Sequence, residues 1–188
     1  MTLLPNKNSS RIGDWIQTYT GKCFWPLDPR EDDVDIEDIA HSLSMICRFN
    51  GHCKKFYSVA EHSLHVSKLV PQEFALWGLL HDAAEAYVCD LPWPLKSSLP
   101  FYRDLEHNVL QSIGDKFNLE WPLEMDIPRV VKEADNAMLA LEKEVLMQSC
   151  DRAWAQLPTP PPLELLFLSP AKAKASFLRR FYSLVEQP

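Results

Sequence analysis

From residue 35 onward the apolar residues recur with helical spacing. In "DVDIEDIAHSLSMICRF" Ile36, Ile39, Ala40, Leu43 and Ile46 fall on one face, which predicts an amphipathic helix. "SVAEHSLHVSKLV" opens with Ser58 and Glu61 at capping-box spacing. Ser58 should take the Glu61 backbone N–H, and the Glu61 side chain should reach back. Pro71 suits the first turn of the helix that follows. That helix, "QEFALWGLLHDAAEAYV", is apolar almost all round and is expected at the centre of the fold. Pro92, Pro94 and Pro100 break up the next stretch. "FYRDLEHNVLQSIGDKF" and "IPRVVKEADNAMLALEKEVLMQ" predict two further helices. In "SPAKAKASFLRRFYSLV" Ser169 is placed as N-cap and Pro170 at the first helical position. "LPTPPPLELL" is a proline-rich excursion, too short for a domain linker. The first 35 residues are irregular, although "WIQTYTGKCFWPLDP" predicts a short hairpin about Thr20-Gly21. The sum is an all-α helical bundle with a short irregular or β-hairpin N-terminal segment, expected as a single domain over residues 1–188.

Composition narrows the function. Hydrophobic residues make up 46% of the chain, enough for a real core. The net charge of -7 argues against non-specific binding to nucleic acid or an anionic membrane, both of which need a basic surface. An anionic substrate must then be met by a local basic cluster or by a metal. No apolar run approaches the ~20 residues of a membrane span, and "MTLLPNKNSSRIGDW" has no apolar core of signal-peptide length. Cys23, Cys47, Cys53, Cys89 and Cys150 make an odd set without C-x-x-C, which suits a reducing compartment. These features point to a cytoplasmic protein.

The stretch "HDAAEAYVCDLPWPLK" sets His81 beside Asp82, with Glu85 and Asp90 close behind. Like charges so crowded call for a compensating cation. His62 and Asp135 sit in other helices and can complete a set with His81 and Asp82. Imidazole and carboxylate donors without thiolate suit one divalent transition metal: Mn, Co, Fe, Ni or Zn. Glu85, four residues after His81 on the same helical face, would stand over such an ion without binding it. A carboxylate there can orient or deprotonate a water molecule. Asp90 lies just past the helix end and can approach from the other side.

Each of these residues also has a plainer reading. Lys132, three residues before Asp135, offers it a salt bridge. Glu85 can simply solvate a helix end, Asp90 can be a turn residue, and Arg48 can pair with Asp38 or another acid. His65 shares the His62 face but reads as a supporting or core residue, while His52 can line the pocket. Trp25 reads as core and Arg179-Arg180 as a solvated face. Lys54 and Lys55 read as a solvated loop.

"SVAEHS", "LLHDAAEAYVCDLPWPLK" and "VKEADNAML" resemble, in order, the H…HD…D signature of the HD-domain metal-dependent phosphohydrolases. The run from His81 through Glu85 to Asp90, then Leu-Pro and a Lys, is similar to the bacterial 5'-deoxynucleotidase branch (YfbR-like). The upstream "IEDIAHSLSMICRFNGHCKKFYSVAEHS" looks closer to its short, often phage- or prophage-encoded YfdR-like members. The resemblance covers roughly residues 13–185. It implies one divalent metal on His62, His81, Asp82 and Asp135, with Glu85 and Asp90 as catalytic carboxylates. It places Arg48 on the substrate phosphate and Phe49 near the sugar, where family members often carry Trp; Phe keeps the apolar face but loses the indole N–H. Lys96 matches a basic residue near the phosphate. The implied substrate is a deoxyribonucleoside 5'-monophosphate, and the implied assembly is a homo-oligomer, a dimer or larger. Two alternatives stay open. A deoxynucleoside triphosphate triphosphohydrolase should gather Lys54, Lys55 and Lys96 in the pocket. A non-catalytic metal-stabilised nucleotide-binding module has no need of Glu85 and Asp90.

Overall fold

The computed structural model describes residues 11–119 and 128–186. The N-terminal reading on residues 1–10 and the first residue of one predicted helix, Ile127, lie outside them. The first regular element among the described residues is a two-stranded antiparallel hairpin, β1 (Ile16–Gln17) and β2 (Cys23–Phe24), with Ile16 opposite Phe24. Its turn closes through Thr18 and Lys22, and Gly21 takes φ +84°, which its missing side chain permits.

Among the described residues the α-helices are α1 (Ile36–Met45), α2 (Val59–Leu69), α3 (Ala75–Leu80), α4 (Glu85–Val88), α5 (Trp93–Lys96), α6 (Pro100–Phe117), α7 (Arg129–Leu146) and α8 (Pro170–Val185). The all-α expectation with a short N-terminal hairpin is met. In α1, Ile36, Ile39, Ala40 and Leu43 are buried as their spacing requires, and Asp35 caps the helix by accepting the Glu37 N–H. Pro100 and Pro170 sit in the first turns of α6 and α8, where the missing N–H costs no helical bond. Ser169 holds the N-cap position of α8, but its side chain makes no capping bond.

α2 is the axis of the fold. Val59 to Ser67 are all buried, and the helix packs against α1, α3, α7 and α8. One core cluster joins Phe24, Ile39, Leu43, Leu79, Leu80, Ile113 and Phe177; a second joins Tyr57, Val66, Val131, Met138 and Leu146. Fully burying each such side chain contributes roughly 1.5–3 kcal/mol. α2 and α3 approach closely at Gly78, where a Cβ would stand 3.0 Å from the Ser67 Cα. Trp25 is core, as its plainer reading has it, with the Arg11 guanidinium 4.5 Å over its ring.

Two helical expectations change. The segment 71–88 is not one helix. A 3-10 turn, Gln72–Phe74, precedes α3, and Pro71 caps that turn from an extended conformation. α3 then ends at Leu80. The amides of Ala83, Glu85, Ala86 and Tyr87 bond back three residues rather than four, so the chain tightens just where His81 and Asp82 lie. Arg180 is not a solvated side chain: it donates to the Ser67 hydroxyl and carbonyl, tying α8 to α2. No helix among the described residues is long and apolar enough to cross a membrane.

Candidate metal centre

Four elements converge on one end of α2. His62 comes from α2 itself, His81 and Asp82 from the tight turn after α3, Asp135 from α7, and Arg48 from the loop after α1. Backbone bonds place that loop: the Arg48 N–H donates to the Tyr57 carbonyl and the Val59 N–H to the Ile46 carbonyl. It then turns sharply, with Phe49, Asn50 and Gly51 at φ +55°, +51° and +78°. A bulky residue such as Phe in the left-handed region costs about 1–2 kcal/mol, so surrounding structure must hold it there. Phe49 is half-buried, set edge-on to Trp154 at 6.2 Å, and its ring centroid lies 5.5 Å from the Arg48 guanidinium.

The ligand atoms are close. His62 Nε2 lies 3.3 Å from His81 Nε2 and 3.3 Å from Asp135 Oδ1. Asp82 Oδ2 lies 3.2 Å from His81 Nε2 and 3.7 Å from His62 Nε2. His62, His81 and Asp135 offer ligand atoms all within 4.8 Å of one another and could hold a metal ion. Donors bonded at ~2.0–2.1 Å and tetrahedral angles stand ~3.3–3.4 Å apart, which these separations match.

The opposite ring nitrogens decide what the cluster can do. His81 Nδ1 faces the Gly78 carbonyl at 2.9 Å, and a carbonyl only accepts, so Nδ1 carries a proton. His62 Nδ1 faces Glu142 Oε1 at 2.6 Å. Burial pushes the Glu142 carboxyl upward, but Arg48 and His62 outweigh it and keep the group ionised, so His62 Nδ1 donates as well. In neutral rings both Nε2 lone pairs then face each other across 3.3 Å with two carboxylate oxygens beside them. That arrangement is repulsive unless a cation sits among the donors. Asp82 Oδ2 is also buried without a hydrogen-bond partner. The donor set therefore fits a divalent ion.

Electrostatics agree. Burial penalises the Asp82 and Asp135 carboxylates, yet the neighbouring histidines hold both below the usual aspartate range. Burial and Arg48 oppose a charge on His62, but Glu142 and Asp135 overcome them and carry it up to about 9. The cluster thus demands positive charge, from a proton if not from a metal.

Around this core stand the other predicted residues. Glu85 is buried at the start of α4; burial, then Asp82 and Asp90, pushes it well above the glutamate range, and its Oε2 has no partner. Asp90 is raised by burial and senses Arg48, Asp82, Lys96 and His62. Lys96 is not free: its Nζ meets Glu106 at 2.5 Å, while Glu85 and Asp82 also raise its pKa. Asp135 satisfies both of its readings, since Oδ2 takes Lys132 at 2.7 Å and Oδ1 faces His62. Arg48 pairs with Glu142, not with Asp38, which instead accepts from Thr20. His65 is buried 3.8 Å from Glu61 and takes no part in the ligand set, and His52 is exposed.

Two buried carboxylates escape the sequence reading in the roles they take. Glu142 lies seven residues after Asp135, two turns along the same face of α7, which is the one signal that could have found it. Glu61 is half of the expected capping box. Its backbone N–H does donate to Ser58 Oγ, but its side chain turns into the protein. There it accepts from the N–H groups of Leu166, Phe167 and Leu168 at 2.7, 2.9 and 2.7 Å. Phe167 at φ +54° bends the backbone so that these amides converge, a nest for an anion.

The chain is 44% identical over 175 residues to the uncharacterized protein YfdR of Escherichia coli strain K12, spanning 92% of this chain and 96% of that one. It is 31% identical over 190 residues to an uncharacterized protein of Rhodobacter capsulatus, spanning 91% and 95%. No family model matches it. Likeness at this level over nearly the whole of both proteins is kinship rather than a shared motif, and the chain belongs to the family of YfdR-like proteins.

Proposed function

We propose that this protein is an HD-type metal-dependent phosphohydrolase that removes the 5'-phosphate of deoxyribonucleoside monophosphates. The observation that carries the reading is the pair of Nε2 atoms of His62 and His81, 3.3 Å apart and flanked by Asp82 and Asp135. When bound there, a divalent ion supplies Lewis acidity toward a phosphate oxygen and makes water a better nucleophile.

The chain's own residues supply the rest. Arg48 spends its Nε/Nη2 edge on Glu142, which leaves the Nη1/Nη2 edge to grip phosphate oxygens in a bidentate way that Lys does not match. Glu85, unpartnered at Oε2, would take or align a proton of the attacking water. Asp90, protonated more readily than an ordinary aspartate, can give a proton to the departing 5'-oxygen. Phe49 offers an apolar face to the sugar. The monophosphate is favoured over the triphosphate because the basic residues do not converge. Lys54 is exposed, Lys55 Nζ lies 4.9 Å over the Phe167 ring, and Lys96 is held by Glu106.

The test is product analysis. Purified protein is incubated with Mn²⁺ or Co²⁺ and a panel of dNMPs, NMPs and dNTPs, beside Glu85→Ala. Orthophosphate from dNMPs, lost in the variant, is the expected result. Triphosphate from dNTPs with dNMPs untouched overturns it in favour of the triphosphohydrolase; nucleotide binding without release overturns it in favour of a binding module.

A further inference from the structure

Glu142 is fully buried in the C-terminal half of α7, where the helix dipole disfavours negative charge. Such a carboxylate persists only if its partners compensate it. It has two, and it divides its oxygens between them. Oε1 takes His62 Nδ1 at 2.6 Å, and Oε2 takes Arg48 Nη2 at 2.9 Å and Nε at 3.2 Å. We propose that Glu142 is a positioning residue that couples cation and anion binding, fixing the metal-facing nitrogen of His62 with one oxygen and the phosphate-facing edge of Arg48 with the other. The anion's identity rests on the phosphohydrolase reading above.

The geometry of α7 explains the pairing. Seven residues rise ~10.5 Å along a helix and return to the same face. Asp135 therefore meets His62 at Nε2 and Glu142 meets the same ring at Nδ1, so one helix holds both ends of one imidazole. The hydrogen bond to Glu142 holds a proton on Nδ1, so in the neutral ring the Nε2 lone pair is free to ligate, as a second carboxylate behind a ligating histidine commonly arranges. On its other side Glu142 engages Arg48 edge-on. The guanidinium is planar, so fixing the Nε/Nη2 edge fixes the direction of the Nη1/Nη2 edge, whose Nη1 lies 3.7 Å from Asp82 Oδ2. A bound metal and a bound anion are thus aligned by one side chain.

Glutamine separates the two roles. In Glu142→Gln the amide oxygen still accepts from His62 Nδ1, while the amide NH₂ faces Arg48 and cannot accept from it. Mn²⁺ affinity should then stay within about threefold of wild type, whereas inorganic phosphate should bind the Mn²⁺-loaded variant at least about tenfold more weakly. The Arg48 Nε–H resonance, held by the buried carboxylate, should also lose its protection from exchange. Glu142→Leu, which removes both acceptors, should lower Mn²⁺ affinity about 10–100-fold. Circular dichroism establishes which variants are folded, and the Gln variant decides the matter if Leu does not fold. The proposal is overturned if the folded Gln variant matches wild type in both affinities, loses both equally, or loses metal while keeping phosphate. Failure of the functional reading looks different: wild type itself then binds Mn²⁺ but no phosphate, which removes the anion half of the coupling as well.

Discussion

Glu61 and His62 are neighbours on α2, and both are fully buried. Each anchors an ionic assembly, but the two assemblies are solved differently. Glu61 is closed: three backbone amides converge on its oxygens and His65 stands beside it. Burial raises its pKa, yet His65 and those amides win and hold it below the glutamate range, so the charge needs nothing more. His62 is open. Its Nδ1 is satisfied by Glu142, while its Nε2 confronts His81 Nε2 and two carboxylates. A buried polar cluster left incomplete is costly, and natural folds keep such clusters where something binds. The closed assembly straps the 166–168 segment to α2; the open one could hold a cation.

Substitutions can break each side of this contrast separately. The largest effect should come from the open side. His81→Ala should abolish Mn²⁺ binding and phosphate release together. Glu85→Gln should lower kcat about 10²–10⁴-fold with Mn²⁺ still bound, as metal analysis beside the assay will show.

The closed side should answer in stability instead. Glu61→Ala leaves three amides without their buried acceptor, and each such group costs about 1–3 kcal/mol. A loss of about 3 kcal/mol or more in urea unfolding is expected. Phosphate release by the fraction that stays folded should be little changed. A stable but inactive Glu61→Ala protein would contradict the division.

The two assemblies should also titrate in opposite directions. The His62 pKa, about 9 in the fold, stands above the ~6.5 of an unfolded histidine. Its stabilisation of chelator-treated protein is therefore complete below pH ~6.5 and is lost as pH rises through about 9, up to about 3 kcal/mol in all. Glu61 contributes above the unfolded glutamate value of ~4.3, and that contribution is lost as pH falls through its lowered folded value. Urea midpoints across pH, with and without Mn²⁺, check this. Mn²⁺ should restore the alkaline side and leave the acid side unmoved.

The smallest effect concerns the packing that carries both. Gly78→Ala pushes a methyl against the Ser67 backbone and should cost about 1–3 kcal/mol. Because the Gly78 carbonyl holds His81 Nδ1, Mn²⁺ affinity should fall modestly as well.

Much of this molecule is legible in its sequence, and what is not has physical reasons. The apolar face of α1, the Thr20-Gly21 turn, the N-cap at Ser58 and the helix start at Pro170 all follow from local chemistry that acts within a few residues. His62, His81, Asp82 and Asp135 stand out because buried imidazole and carboxylate need a reason to be there. The break between α3 and α4 is hidden, since a segment apolar all round shows no periodicity to lose when the chain tightens. Glu142 sits in "LEKEVL" beside the exposed Glu144, and apart from its seven-residue spacing from Asp135 only the arrival of Arg48 and His62 from other elements distinguishes it. Glu61 fits a capping box perfectly well; what draws its side chain away is a nest formed about a hundred residues later in the chain.

The most direct test of the central claim is a Mn²⁺ titration of chelator-treated protein followed by electron paramagnetic resonance, for wild type and His81→Ala. The account predicts about one equivalent bound by wild type, with the free-ion signal suppressed until that point, and none by the variant. Binding that is absent in wild type, or equal in the two proteins, would contradict it.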